Sequence, residues 1–245
     1  MTESREDHPA KKVETVSPPA RRYRSIVFLL ILLSTTAFFA LLTFLANETP
    51  YLPIDLRITR AIQLIDSPFF LGLMRLISWP GFLPQSILVT VLIAYTLYLY
   101  GLHWEAVMSL LAAISSGTIN SLVKGIIQRP RPGADLVDVF EVLMSFSFPS
   151  GHVMFYTILF GFSSYLQFTL LKASIWRRII LGVFGIFILL VGISRIYLGQ
   201  HWASDVLGAY LLGSLILVGV ILLYQWGKTR FFIHQPSAAP NSNKE

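Results

Sequence analysis

The sequence predicts an all-α membrane protein, a bundle of six transmembrane helices. Three observations predict it. Hydrophobic residues make up 54% of the 245 positions and charged ones only 13%, where an ordinary soluble domain is about a quarter charged. Mean hydropathy is +0.65. Apolar runs near the length needed to cross a hydrocarbon core roughly 30 Å thick recur six times, set off by prolines and basic residues.

Residues 1–25 are polar, carry Pro9, Pro18 and Pro19, and close on Arg21, Arg22 and Arg24. That composition predicts a disordered tail ending in a basic membrane anchor. The first span, Ile26 to Ala46, is 21 residues without a charge. It is too long for a signal-peptide apolar region, and no small-residue cleavage site follows. In "NETPYLPIDLRITRAIQLIDSP", Leu56, Ala61, Leu64 and Ile65 share a helical face, which predicts a helix lying on the membrane. Residues 69–78 either continue it or dip inward. Further spans are expected at 83–101, 104–127, 152–171, 178–197 and 204–226. The pattern holds no internal repeat and no soluble domain. Residues 26–227 therefore read as one membrane domain between polar tails at 1–25 and 228–245.

Orientation follows from lysine and arginine. With the N-terminus in the cytoplasm, inside segments hold Arg5, Lys11, Lys12, Arg21, Arg22, Arg24, Lys172, Arg177, Arg178, Lys228, Arg230 and Lys244, which is 12 of the 19 basic residues. The rule that positive loops stay inside favours both tails in the cytoplasm. This scattering along the spans explains the pI of about 9.7 without a nucleic-acid partner. With no cysteine, a disulfide framework and a thiolate metal site are both excluded.

Three polar clusters fall at the outer ends of the spans. "KGIIQRPRP", residues 124–132, closes the third span. Lys124 lies about a turn from the helix end, and Pro130 and Pro132 force an extended exit. A snorkelling basic end is the simple reading, but arginine forks also match phosphate oxygens bidentately. "FPSGH", residues 148–152, opens the fourth span. Ser150 suits the N-cap, and the free N–H groups of Gly151 and His152 make an anion site. A histidine at the positive end of a helix is unfavourable unless an anion is near. "SRIYLGQHWASD", residues 194–205, joins the last two spans. His201 and Asp205, four apart, would share a helix face, so that Asp205 takes the Nδ1 proton and leaves Nε2 basic. A structural ion pair or a transporter's proton relay are the other readings of that pair.

Up-and-down connections bring all three clusters to one outward-facing pocket. Lys124, Arg131 and Arg195, a helix N-terminus and two histidines, with no carboxylate cluster, describe a phosphate site without a metal. His201 then reads as a nucleophile and Asp205 as its orienter. K-x6-R-P (Lys124, Arg131, Pro132), P-S-G-H (149–152) and S-R-x5-H-x3-D (Ser194, Arg195, His201, Asp205) resemble the three signatures of the type 2 phosphatidic acid phosphatase family, related to vanadium-dependent haloperoxidases. The resemblance spans roughly residues 54–226. It implies a helical bundle that hydrolyses lipid phosphates with no metal or other cofactor. His201 would form a phosphohistidine, Asp205 would set its tautomer, and His152 would serve as acid and then base. Lys124, Arg131, Arg195, Ser150 and the Gly151 N–H would hold the phosphate oxygens. Spacing assigns the signature arginine to Arg131 and leaves Arg129 a supporting role at most.

The implied partners are the bilayer and a lipid phosphate: undecaprenyl pyrophosphate, phosphatidic acid or phosphatidylglycerophosphate. A haloperoxidase is the second reading, disfavoured by six apolar spans. A non-enzymatic transporter is the third, and the spans offer it little beyond Ser115, Ser116, Asn120 and Ser214.

Overall fold

The computed structural model describes residues 18–232, all of whose regular structure is helical. Helix α1 runs Pro18–Glu48. Its first residues therefore belong to a helix rather than to the tail expected through residue 25, and residues 1–17 lie outside the described ones. α1 is almost wholly exposed apart from Leu42 and Ala46, which pack with Phe148. An apolar rod so poorly covered by protein is what a lipid-facing span requires.

Helix α2, Pro53–Gln63, forms in the amphipathic segment. Asp55 and Thr59 are buried, whereas Leu64 is 83% exposed. Ile58 and Ile62 pack on the core beside these two polar residues, while Ile54 and the two arginines Arg57 and Arg60 stay exposed. Ser67 then caps helix α3, Pro68–Ser78, its Oγ accepting from the Phe70 N–H. α3 dips inward. Met74, Ile77 and Ser78 are buried, and Ser78 hydrogen-bonds Ser194 at 2.7 Å. A 3-10 turn at Trp79–Gly81 links it to helix α4, Leu83–Leu99. The α3–α4 pair bends by 63°, as expected where Pro80 removes a backbone donor and Gly81 permits the turn.

Four long helices complete the bundle: α5, His103–Ile127; α6, Gly151–Leu170; α7, Ile175–Tyr197; and α8, Ala203–Gly227. Five described helices, α1 and α5 to α8, are long and apolar enough to cross a membrane, and the bent α3–α4 pair makes six. α6 is the central one, with Met154, Tyr156, Ile158, Leu159 and Phe162 fully buried. A π-helical turn at Tyr156–Phe160 interrupts it. Between helices in lipid, close packing replaces the hydrophobic effect as the source of cohesion. Ala209 is accordingly fully buried, and a Cβ at Gly213 would stand only 3.1 Å from Thr157. These small residues of α8 pack within the chain. At the far end, Lys228 pairs with Glu105 at 2.7 Å, and the Tyr224 hydroxyl donates to the same carboxylate at 2.8 Å.

Candidate active site

The site lies where α5 and α7 end and α6 and α8 begin. α5 stops because Gln128 adopts a left-handed φ of 50° and donates its N–H back to the Lys124 carbonyl at 2.9 Å. Lys124 is thus in the last turn, its ammonium donating to the carbonyls of Phe146 and Ser147. One turn earlier on the same face, Asn120 donates to the Pro149 carbonyl at 3.0 Å and holds the turn that starts α6. The Ser150 N–H donates to the Asp205 carbonyl at 3.3 Å, joining the α6 and α8 N-termini.

Lys124, Arg131, Gly151, His152, Arg195 and His201 line one cavity of about 590 Å³. Ser150 and Asp205 are fully buried and do not line it. Arg195 is fully buried, with Nη1 donating to Ser78 Oγ at 2.9 Å and its guanidinium 5.5 Å from the Phe82 ring centre. Among the described residues its Nε and Nη2 find no partner, nor do Ser150 Oγ and His152 Nε2. Unpaired buried donors are costly, and these converge where an anion would satisfy them. Ser150 is therefore the N-cap residue by position, but its hydroxyl does not cap the helix as expected. The His152 ring stands edge-on to Phe82 at 4.7 Å and against Gly81, where a Cβ would collide with it.

His201 departs from the expected helical pairing. It sits in the turn before α8, and only Asp205 lies within the helix. The turn needs Gly199, whose φ is +66° and whose missing side chain admits the Asp138 carbonyl. His201 Nδ1 is 3.7 Å from Asp205 Oδ2, beyond hydrogen-bond range, and 3.5 Å from Ser147 Oγ. Ser147 Oγ donates to that same Oδ2, and the Trp202 N–H donates to it at 2.9 Å. Arg131 Nη1 lies 3.2 Å from His201 Nε2. Guanidinium can only donate, so Nε2 is the acceptor and Nδ1 carries the proton. Burial first, then the charges of Arg131, Lys124 and Arg195, push the His201 pKa well below its usual value, with a hydrogen bond to the Ser147 backbone acting the other way. The ring is neutral and its Nε2 lone pair faces the cavity. Burial also lowers Arg131, to about 10, which leaves it charged at neutral pH.

Arg129 stands apart from the cavity. It is 1% exposed, with Nη1 2.5 Å from Asp205 Oδ1 and Nη2 3.1 Å from Asp55 Oδ2. Sequence reasoning missed Ser147 and Asp55 altogether. The signal for Asp55 was a carboxylate that a surface helix had no evident use for. Among the described residues, no group of three or more His, Asp or Glu is placed to hold a metal ion.

The PAP2 superfamily model matches residues 105–230, which contain all three signatures. The chain is 32% identical over 181 residues to phosphatidylglycerophosphatase B of Bacillus subtilis (strain 168), a match covering 73% of this chain and 87% of that one. This chain belongs to the PAP2 superfamily. The crystal structure of the transmembrane PAP2-type phosphatidylglycerolphosphate phosphatase from Bacillus subtilis matches the fold with a TM-score of 0.71 at 29% identity, over 82% of this chain and 98% of the other. Aquifex aeolicus LpxE shares the fold with a TM-score of 0.53 at 19% identity, over 71% of this chain and 96% of that one. The PAP2 match begins at Glu105, so α1 to α4 lie outside it.

Proposed function

We propose that the protein is a membrane lipid phosphatase that hydrolyses the phosphate ester or pyrophosphate of a lipid through a phosphohistidine on His201. The observation that carries this reading is that unpartnered polar atoms of Arg195 and His152, with Lys124 and Arg131, line the same cavity as a neutral histidine whose Nε2 meets only an arginine donor. In the first step Nε2 attacks phosphorus and the bond to the lipid-side oxygen breaks. His152 gives its proton to that leaving oxygen. In the second, His152 takes a proton from water as the water attacks the phosphohistidine, and inorganic phosphate leaves. Lys124, Arg131, Arg195, Ser150 Oγ and the Gly151 N–H hold the three peripheral oxygens, whose charge must be stabilised in a loose transition state. Asp205 positions the imidazole by its charge and through Ser147, whose Oγ donates to Oδ2 and lies 3.5 Å from His201 Nδ1.

The lipid character of the substrate is supported by the cavity's shape. From the polar end it continues between α4 and α5 past Ile87, Val91, Leu110 and Ile114, a route for an acyl or prenyl chain. Phosphatidylglycerophosphate, the substrate class named for the Bacillus subtilis relative, leads the candidates. Phosphatidic acid offers the same phosphate monoester, and undecaprenyl pyrophosphate offers a terminal phosphoryl group held by an anhydride. The tails lie in the cytoplasm and the site faces the exterior, a reading supported by the distribution of basic residues.

The test is phosphate release by the purified protein against a panel of these three lipids and a water-soluble monoester in one detergent. Long-chain lipids should show the higher kcat/KM. Equal values for lipid and soluble ester would remove the lipid-substrate reading.

A further inference from the structure

We propose that Asp55, Arg129 and Ser204 form a buried clasp that positions Asp205, and through it His201, so that α2 belongs to the positioning machinery of the site. The clasp rests on the reading of His201 as the nucleophile, and it reaches beyond residues 105–230 that carry the PAP2 match.

Every polar atom of the Arg129 guanidinium is engaged inside the protein. Nη1 reaches Asp205 Oδ1 at 2.5 Å and Ser204 Oγ at 2.7 Å, Nη2 reaches Asp55 Oδ2 at 3.1 Å, and Nε donates to the Pro50 carbonyl at 3.2 Å. None is left for phosphate, in contrast to Arg195. Asp55 is closed as tightly. It accepts from the Ser204 N–H and Oγ, each at 2.7 Å, and from the Leu52 N–H at 2.9 Å. Asp55, Arg129 and Asp205 have fully buried side chains.

This arrangement fixes both the direction and the charge of Asp205. Arg129 holds Oδ1, which leaves Oδ2 as the oxygen turned towards His201 Nδ1. One guanidinium between two carboxylates leaves a net negative charge. With Asp205 alone, Arg129 would cancel the charge that steadies the imidazole as it becomes cationic during attack. Asp55 supplies the second anion, so Asp205 is oriented by Arg129 without being neutralised by it. A fork is needed because the two carboxylates occupy separate directions, which a lysine cannot span. A plain staple of α2 onto α8 would require only one ion pair, and burying a third charge for that purpose would cost stability.

The experiment is a set of double-mutant cycles on the full-length protein in detergent. Arg129→Lys, Asp55→Asn and Ser204→Ala are each made alone and with Asp205→Asn, and kcat, KM and Tm are measured with a long-chain lipid phosphate. Alone, Arg129→Lys and Asp55→Asn should lower kcat about 10–100-fold, the range typical of groups that orient a reacting group's own partner, with KM little changed. In the Asp205→Asn background the same substitutions should change kcat hardly at all. Equal kcat losses in both backgrounds, or a lowered Tm with wild-type kcat, would overturn the clasp and leave only a staple. If the charged-residue variants fail to fold, Ser204→Ala removes a single shared hydroxyl and runs the same cycle. If Asp205→Asn turns over too slowly, single-turnover phosphoenzyme formation is the readout. His201→Ala is run in parallel. Turnover by that variant would defeat the nucleophile reading itself, whereas an inactive His201→Ala beside background-independent losses would defeat the clasp alone.

Discussion

Replacing Arg195 should make the protein more stable and less active at the same time. The side chain is fully buried, and among the described residues no carboxylate lies within ion-pair range of it. Its protein partners are one hydroxyl, Ser78 Oγ at 2.9 Å, and the Phe82 ring at 5.5 Å. A ring and one neutral hydrogen bond offset only part of the cost of desolvating a cation, which amounts to several kcal/mol after relaxation. Methionine at 195 fills similar volume without a charge. Relief of about 1–4 kcal/mol, the gain measured when well-packed apolar residues replace buried charges, corresponds to a rise of several degrees in Tm for a chain of this size. Against that, Arg195→Met loses a cation and two free donors aimed into the cavity, and kcat should fall on the order of 10²–10³-fold.

Thermal unfolding in detergent followed by tryptophan fluorescence, beside a phosphate-release assay, reads both effects. Inorganic phosphate adds a third. At about 100 times its Kd, a ligand that binds only the folded state stabilises by about 2.7 kcal/mol. Phosphate should therefore raise the wild-type Tm and leave that of Arg195→Met nearly unmoved. A variant less stable than the wild type, whose Tm still climbs with phosphate as the wild type's does, would refute the reasoning. The guanidinium would then be serving the fold rather than the substrate.

Three further outcomes are expected. His201→Ala should abolish turnover and any trapped phosphoenzyme, Asp205→Asn should retain residual activity, and wild-type turnover should persist in EDTA; strict magnesium dependence would contradict the scheme. Because the His201 pKa is depressed in the folded state, the unfolded chain binds the extra proton first on acidification. Stability should fall as pH drops below about 6.5, by at most about 1.4 kcal/mol per pH unit from this group, and His201→Gln should flatten Tm against pH between 7 and 5. For topology, Asp138→Cys in this cysteine-free chain should react with an impermeant maleimide on intact cells, and Ala173→Cys only after permeabilisation; the reverse would move the site to the cytoplasm.

The parts of the site legible in the sequence are those fixed by local rules. Lys124 and Arg195 close helices and Ser150 opens one, so apolar run length and up-and-down packing suffice to bring them together. His201–Asp205 was legible as a pair but not as a geometry. Spacing of four implied a shared helix face, whereas Gly199 inserts a turn that leaves the ring outside α8. The clasp was not legible, because Arg129 and Asp205 are 76 residues apart and Asp55 lies 74 residues from Arg129. Nothing local marks such a contact. The amphipathic helix α2 was legible from its periodicity, but not that Asp55 and Thr59 would be its buried residues. The sequence left residues 69–78 either to continue α2 or to dip inward, and the inward course of α3 depends on Ser78 and Ser194 meeting across the fold.

The arrangement also sets the order of events. Without phosphate, Arg131 donates into the lone pair that must attack, with Nη1 3.2 Å from His201 Nε2. The same arginine, with Lys124 and Arg195, keeps that ring neutral. On the proposed mechanism, an entering phosphate would draw the guanidinium onto its own oxygens, which would free Nε2 as the electrophile arrives beside it. Its negative charge also offsets the three cations, so the imidazole is better able to carry the positive charge it gains on attack. If His201 is the nucleophile, these cations would keep it from protonation and would yield that restraint to a phosphate. Lysine at 131 keeps the charge but not the fork. Arg131→Lys should therefore leave His201 neutral while binding phosphate through fewer hydrogen bonds, so kcat should fall with little change in the acid side of the pH–rate profile. A shift of that profile by a pH unit or more would show that Arg131 acts on His201 through its hydrogen bond rather than its charge.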